Sequence, residues 1–465
     1  MRDGRRAPRQ VRFAAGVTLA GTSCKVPAAA NQVAPSTAMT THLCSRPGRH
    51  PAAGLTRRQA LRRSATLAGL ALSGSLDRLF GNTAELADTP VAARSLGPSL
   101  PVAIERCSSY EPALLRQKLD HALDLIGGIG PLVSGKTVTI KLNLTGGPGT
   151  LGGLPAYRTY HVHPNLVAAL CAALHDAGAA RIVLVESGYK SDPLDVAMAR
   201  ATGGWPGWDI GMIAEAGGHT VSWEDTRNRG AWADYVRFDV PWGGTIYPAY
   251  LLNRRYHDTD VLISLAKLKE HACAGITLTV KNQFGIAPSS IYGNNLDSRN
   301  RPIINEGCLT ARNSTFHDGS RMPPSGVPQE LDPGSPRNWP YRVPRIVAEL
   351  WSVRPADLCL IDGIETNRGG EGPWNEGVAP IQPHLLLAGR NGVCTDAIGT
   401  MCMGFSPTAG HTQKPFKGAN HFTLLAERGY GTNRVSEIEV RGLPLEQAVH
   451  PFDPAWTDHA VWAVH

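Results

Sequence analysis

Between Asp258 and Gly285 the chain reads DTDVLISLAKLKEHACAGITLTVKNQFG, and this stretch restricts the choice of fold more than any other. Val261, Leu262, Ile263 and Leu265 form a short apolar run, which points to a strand covered on both faces and so to a sheet with helices above and below. Directly behind the run stand Lys267, Lys269, Glu270 and His271, then Lys281 and Asn282, with Gly275 and Gly285 as breaks. Three lysines, a histidine and an amide are costly to bury behind a core strand unless they find partners. The pattern predicts a site at the end of that strand.

The flanking sequence supplies the rest of such a sheet. Pro112 to Ile126 has helical apolar spacing, and Thr137 to Leu144 reads as a strand in which Lys141 and Asn143 share one face. The Gly-rich run GGPGTLGG that follows lacks phosphate-loop spacing and reads as a flexible loop. Pro164 to Gly178 predicts a helix, with proline in its first turn, and RIVLVE at 181–186 the next buried strand. Strand, helix and strand in this order make a right-handed βαβ unit and a parallel sheet, whose ligands belong beyond the carboxyl ends of the strands. Asn143 and Glu186 fall there.

Further on, Tyr292 to Pro340 is rich in Asn, Arg, Pro, Gly and Ser and reads as a long insertion loop or lid. A helix at 341–351, a buried strand at 356–362 running into Asp362 and the loop ETNRGGEGPWN, a strand at 383–388 and a helix at 394–403 continue the α/β alternation; a helix at 421–428 and a strand at 436–441 close it. Asp396 is expected in the first turn of its helix, where the positive dipole end favours a carboxylate. His161 and His163, two apart on an extended segment, are compatible with a metal, but Pro164 beside them suits a helix-entry cap. The tryptophans of 192–253 are expected to pack the core. The fold expected is α/β, a mostly parallel Rossmann-like sheet flanked by helices with long loop insertions, over 100–442 with the insertion at 292–340 and a tail at 443–465.

Charge is unevenly spread along the 465 residues. Residues 1–90 hold 13 of the 46 Lys and Arg against 4 of the 39 Asp and Glu, leaving 33 against 35 for the remainder. The formal net charge of +7 therefore belongs to the leader, and the folded part gives no argument for nucleic acid. Within the leader, LTRRQALRRSATLAGLALSG resembles a twin-arginine export signal, with Arg57 and Arg58 ahead of a mildly apolar run too short and too rich in Ala, Gly and Ser to span a bilayer stably. The expectation is a periplasmic or secreted protein, handled by the twin-arginine translocation machinery, cleaved between roughly 84 and 95 and without a stable membrane anchor. Met39 would give a more ordinary leader as a start site. The seven cysteines beyond the leader contain no CxxC pair, so no local motif for an iron–sulfur cluster is present, and several sit in apolar patterns as buried thiols.

Taken together, KLN at 141–143, RIVLVES, DVLISLAKLKEH with TLTVKNQFG, DLCLIDG with GGEGP, and CTDAIGTMCMG resemble the domain of unknown function 362 family over most of 100–430. That resemblance implies a fold and a site more than an activity. Some members carry ferredoxin-like cysteine runs, which this chain lacks. A weaker similarity, His271 and Lys281 ten apart after a buried strand, is to the nickel-dependent lactate racemases. It implies a cofactor-bearing lysine and a proton-transferring histidine, although Leu-Thr-Val stands before Lys281 where that family has Gly-Gly-Arg.

By their chemistry, Lys269, His271 and Lys281 are the candidate catalytic groups, lysines for an anion or carbonyl and His271 for protons. Lys141, Asn143, Glu186, Lys267 and Asn282 are candidate ligand-binding residues. Asp362, Glu371 and Asp396 can hold a divalent cation or balance the lysines. Whether the ligand is turned over or only bound is left open, the alternatives being an enzyme and a non-enzymatic small-ligand binding protein. A third possibility is that the lysines are simply solvated or paired with these carboxylates.

Overall fold

The computed structural model describes residues 99–187, 210–227, 235–293, 312–411 and 413–455. The leader with Arg57 and Arg58, the first part of the insertion and the last ten residues lie outside the described residues. The strands are β1 (Val102–Arg106), β2 (Thr137–Lys141), β3 (Arg181–Glu186), β4 (Val221–Asp225), β5 (Val261–Lys267), β6 (Leu358–Gly363), β7 (Leu385–Gly389) and β8 (Val440–Gly442). They form one eight-stranded sheet in the order β8-β1-β7-β6-β5-β2-β3-β4. β7 pairs antiparallel with both β1 and β6, and every other pairing is parallel. The sheet is therefore mostly parallel, and β5, the strand of the opening sequence, lies inside it with all seven residues buried.

Alternation along the strands divides the core in two. Val138, Ile140, Ile182, Leu184, Ile263 and Leu265 face helices α1 (Pro112–Leu125) and α2 (Pro164–Asp176), among Leu115, Leu119, Leu166 and Leu170. Val183, Val185, Leu262, Cys359 and Ile361 turn to the other side, among Ile346 and Leu350 of α4 (Trp339–Val353) and Ile398 and Met401 of α5 (Gly392–Cys402). The short α3 (Leu278–Asn282) lies on this second side. Each such Leu or Ile contributes about 1.5–3 kcal/mol by leaving water, which is why a mostly apolar run stays put in the middle of the sheet. Helix starts follow their local chemistry: Glu111 accepts the Ala113 and Leu114 amides ahead of α1, and the His163 ring accepts the Asn165 amide ahead of α2. His163 is thus the helix-entry cap that the neighbouring proline suggested.

Four expectations change. The Gly-rich run after β2 contains a small hairpin, Thr150–Leu151 paired with Leu154–Pro155, in place of a wholly irregular loop. The described part of the insertion is anchored, because Glu330 accepts from Arg342 at 2.5 Å and from Arg337 at 2.5 Å, while Tyr247 donates to Thr315 and Glu330. The expected strand at 436–441 shrinks to the three residues of β8 after a single turn at Val435–Glu437. Finally, α5 begins at Gly392 with Asn391 as its cap, which leaves Asp396 in the second turn and beyond the reach of its own helix's N-terminus.

Candidate functional site

Strand register decides which of the charged groups meet. Lys267 and Asp362 end the adjacent parallel strands β5 and β6 as register partners, and both are fully buried. Lys267 Nζ donates to Asp362 Oδ2 at 2.9 Å, and Tyr110 Oη donates to Asp362 Oδ1 at 2.6 Å. The His163 backbone N–H adds a bond to Oδ2 at 3.0 Å, and the His163 ring stacks on Tyr110 with centroids 3.7 Å apart. Burial, then the Asp362 charge, holds the Tyr110 hydroxyl well above its ordinary value. Lys267 and Asp362 are partnered within this buried network and tie β5 to β6. Asp362 does not face the cleft described below.

One strand along, Lys141 at the end of β2 meets Glu186 at the end of β3, with Nζ 2.6 Å from Oε1. Lys141 Nζ also donates to Leu142 O and to Asn282 Oδ1. Asn282 orders the group: its Oδ1 accepts from Asn143 Nδ2 at 3.0 Å, and its Nδ2 donates to Ser264 Oγ at 3.1 Å. Glu186 further accepts the Leu144 and Ser187 amides. Gly285 passes so close that a Cβ there would lie 2.8 Å from Lys141 Nζ and 3.3 Å from Glu186 Oε1, so a side chain at this position would press on the pair beneath it.

Lys269 is fully buried and donates to the Tyr160 and Glu371 carbonyls at 2.6 and 3.2 Å. Burial takes its ammonium well below the ordinary range. His271 has Nδ1 accepting from the Cys273 and Ala274 amides at 3.1 and 3.2 Å. With Nδ1 an acceptor, the ring hydrogen sits on Nε2, and burial lowers the imidazole to about 3, so it is neutral near pH 7. Glu371 accepts from Ala272 N at 2.7 Å and Trp374 Nε1 at 2.9 Å. Burial works to raise this carboxyl, and the His271 ring with those hydrogen bonds outweighs it, leaving the group at about 2.

Lys281 stands apart. Among the described residues its ammonium makes no hydrogen bond and no ion pair; it lies 4.3 Å from the Phe284 ring centroid. Burial lowers it to about 8, against a partial opposing pull from Glu371. Its position on α3 is held by Asp396, whose carboxylate accepts from Thr279 N at 2.9 Å, Thr279 Oγ1 at 2.5 Å and Val280 N at 2.7 Å. Leu278, just before these amides, takes a φ of +32° that leucine rarely adopts. The Asp396 carboxylate thus fixes a strained turn from a neighbouring helix. Asp362, Glu371 and Asp396 have separate partners, and among the described residues no three His, Cys, Asp or Glu side chains converge as a metal-holding group.

Lys281 and His271 border a two-part cleft at the carboxyl ends of β2, β3 and β5. A small recess of about 70 Å³ is lined by Lys141, Asn143, Glu186, Thr277, Asn282 and Arg312. A larger chamber of about 510 Å³ is lined by Glu371, Trp374, Trp339, His317, Cys273 and Asp318. Thr145, His271, Lys281, Phe284 and Arg312 border both. Of the residues singled out in the sequence, Lys141, Asn143, Glu186, His271, Lys281, Asn282 and Glu371 come together here; Lys267, Lys269, Asp362 and Asp396 do not line it. Arg312, Ser187, His317, Phe284 and the two tryptophans were missed. Arg312 comes from the insertion and donates to Ala287 O at 2.6 Å and to Ser187 at 3.2 Å; nothing local in the sequence connects it to β3.

The profile of the domain of unknown function (DUF362) matches residues 138–401, more than half of the chain. A thylakoid-associated protein of Synechocystis sp. is 29% identical over 367 residues, covering 76% of this chain and 89% of that protein. A crystal structure of a Thermotoga maritima protein is 10% identical with a TM-score of 0.31, covering 73% of this chain and 62% of the other, so the chain spans less than two thirds of that protein's length.

Proposed function

The chain belongs to the DUF362 family, and from that premise we propose that it binds a small anionic molecule in the cleft at the carboxyl ends of β2, β3 and β5, with Lys281 as the cationic anchor. The observation that carries this reading is the state of Lys281. Lys281 is 8% exposed and opens only onto the cleft, where its ammonium has no hydrogen bond or ion pair among the described residues, whereas Lys141, Lys267 and Lys269 all have partners. An anion at the junction of recess and chamber would supply the missing partner. Arg312 adds a second cation there, and the neutral His271 can donate from Nε2.

The same groups limit the chemistry. His271 has Nδ1 engaged by two amides, so a hydrogen-bond donor's role suits it better than the proton carrier's role expected from sequence. Near neutral pH the group poised to exchange a proton is Lys281 at about 8. A catalytic version of the site would therefore use Lys281 as its base, and a binding protein would use it as a charge alone. Export by the twin-arginine route, carried by Arg57 and Arg58, completes the proposal with a periplasmic or secreted location for the domain at 100–442. Among the described residues no helix is long and apolar enough to cross a membrane.

A thermal-shift panel of simple carboxylates and phosphates tests the anchor. At least one anion is expected to raise the melting temperature of the wild type and to lose that effect in Lys281→Met. Equal responses in the two proteins would remove Lys281 from the site, and a wild type indifferent to every anion would remove the anion reading. For export, replacing Arg57 and Arg58 by lysine is expected to hold the precursor in the cytoplasmic fraction; unchanged export would reject the signal.

A further inference from the structure

We propose that the anionic group is carried on a flat ring, so that the ligand is an aromatic or heteroaromatic molecule with a single anionic group, a carboxylate or phosphate, that enters the recess while the ring fills the chamber. The inference rests on the anion reading of Lys281 and names the class of molecule. The recess, at about 70 Å³, has room for a small charged group and no more. The chamber, at about 510 Å³, has the size of an organic-ligand site. Lys281 and Arg312 border both, so a bound anion would sit at the junction and whatever carries it must extend into the chamber.

The chamber's walls choose a ring. Phe284 lies under the Lys281 ammonium and meets His317 edge to face, with centroids 5.6 Å apart. Trp339 and Trp374 contribute two further aromatic surfaces. Trp374 is 46% exposed, yet it is held in a defined orientation. Its Nε1 donates to Glu371 Oε1 at 2.9 Å, its ring meets Tyr160 edge to face at 5.7 Å, and it packs so closely on Gly372 that a Cβ there would lie 2.4 Å from the indole. An indole fixed from three sides while nearly half of it faces solvent is not explained by core packing; it offers a preorganised surface for a flat apolar partner. Glu371 and Asp318, both held below the ordinary carboxylate range, line the same chamber and disfavour a second negative charge on the ring.

Calorimetric titration of the folded protein compares bare anions, acetate and inorganic phosphate, with ring-bearing ones, benzoate and phenyl phosphate. The wild type is expected to bind at least one ring-bearing anion tenfold or more tightly than its bare counterpart. Trp374→Ala should remove that preference, whereas Trp374→Phe, which keeps a ring and loses the tether to Glu371, should retain part of it. Measurable binding with no ring preference in the wild type would overturn this inference and leave the anion site standing. A ring preference that survives Trp374→Ala in full would overturn the assignment to this wall. Failure of all four probes to bind would overturn both readings together.

Discussion

Removing Lys267 tests whether the ion pair beneath the β5–β6 edge braces the sheet. In Lys267→Met the Asp362 carboxylate stays fully buried and keeps the Tyr110 hydroxyl at 2.6 Å and the His163 amide at 3.0 Å, while its ion-pair partner at 2.9 Å is gone. Breaking one side of a buried pair costs about 3–5 kcal/mol; the surviving hydrogen bonds, that from the Ile364 amide at 3.4 Å included, place this case at the lower end, about 3 kcal/mol. For a folded unit of this size that corresponds to a fall in melting temperature of roughly 4 °C. Urea unfolding is the assay, with the loss appearing as a lower midpoint at unchanged slope. The double variant Lys267→Met, Asp362→Leu removes the orphaned charge together with its partner, and should recover at least half of the loss. A single variant costing less than about 1 kcal/mol, or a double variant no better than the single, would refute the reasoning and return Lys267 to the list of groups free to bind a ligand.

Three further outcomes follow from the site. Lys281 must be charged to hold an anion, and ligand binding favours its protonated form, so apparent affinity should fall about tenfold between pH 7 and 9 as the group passes through about 8, with Asp396, raised by burial to about 7, titrating just below that window. A calorimetric profile flat to pH 9 would contradict this; His271 and Glu371, at about 3 and about 2, add no inflection above pH 5. Gly285→Ala would press a methyl against Lys141 Nζ at 2.8 Å, and is expected to cost about 1–3 kcal/mol in urea unfolding and to weaken anion binding. Asp396→Ala would leave the Thr279 and Val280 amides without their acceptor, with an expected loss of about 3 kcal/mol and weaker binding as Lys281 loses its support; unaltered binding would detach the clamp from the site.

The sheet was legible because its signals are local. The apolar run of β5, the alternation that put Lys141 on one face of β2 and the proline-led helix at 164 each follow from a few consecutive residues. Partners across the sheet were not legible. Nothing in the sequence says that Lys267 stands opposite Asp362 while Lys281 meets the cleft unpaired, because register is set by the packing of whole strands. Asp396 shows the same limit: its spacing suggested service to its own helix, and the two-residue difference in where α5 begins hands it to another. Arg312 was hidden for a further reason, since an irregular segment carries no period that could aim a side chain.

The placement of β1 has a consequence for synthesis. Val102–Arg106 lies between β7 and β8, so every strand it pairs with comes from residues 385–389 or 440–442. As the chain leaves the ribosome, the first strand has no neighbour until more than 280 later residues have appeared, and both of its edges stay unpaired meanwhile. The sheet closes only when its last short strand arrives. A chain cut before β7 would expose β1 on both edges, a signal of incompleteness that a chaperone or protease can read before any ligand is met.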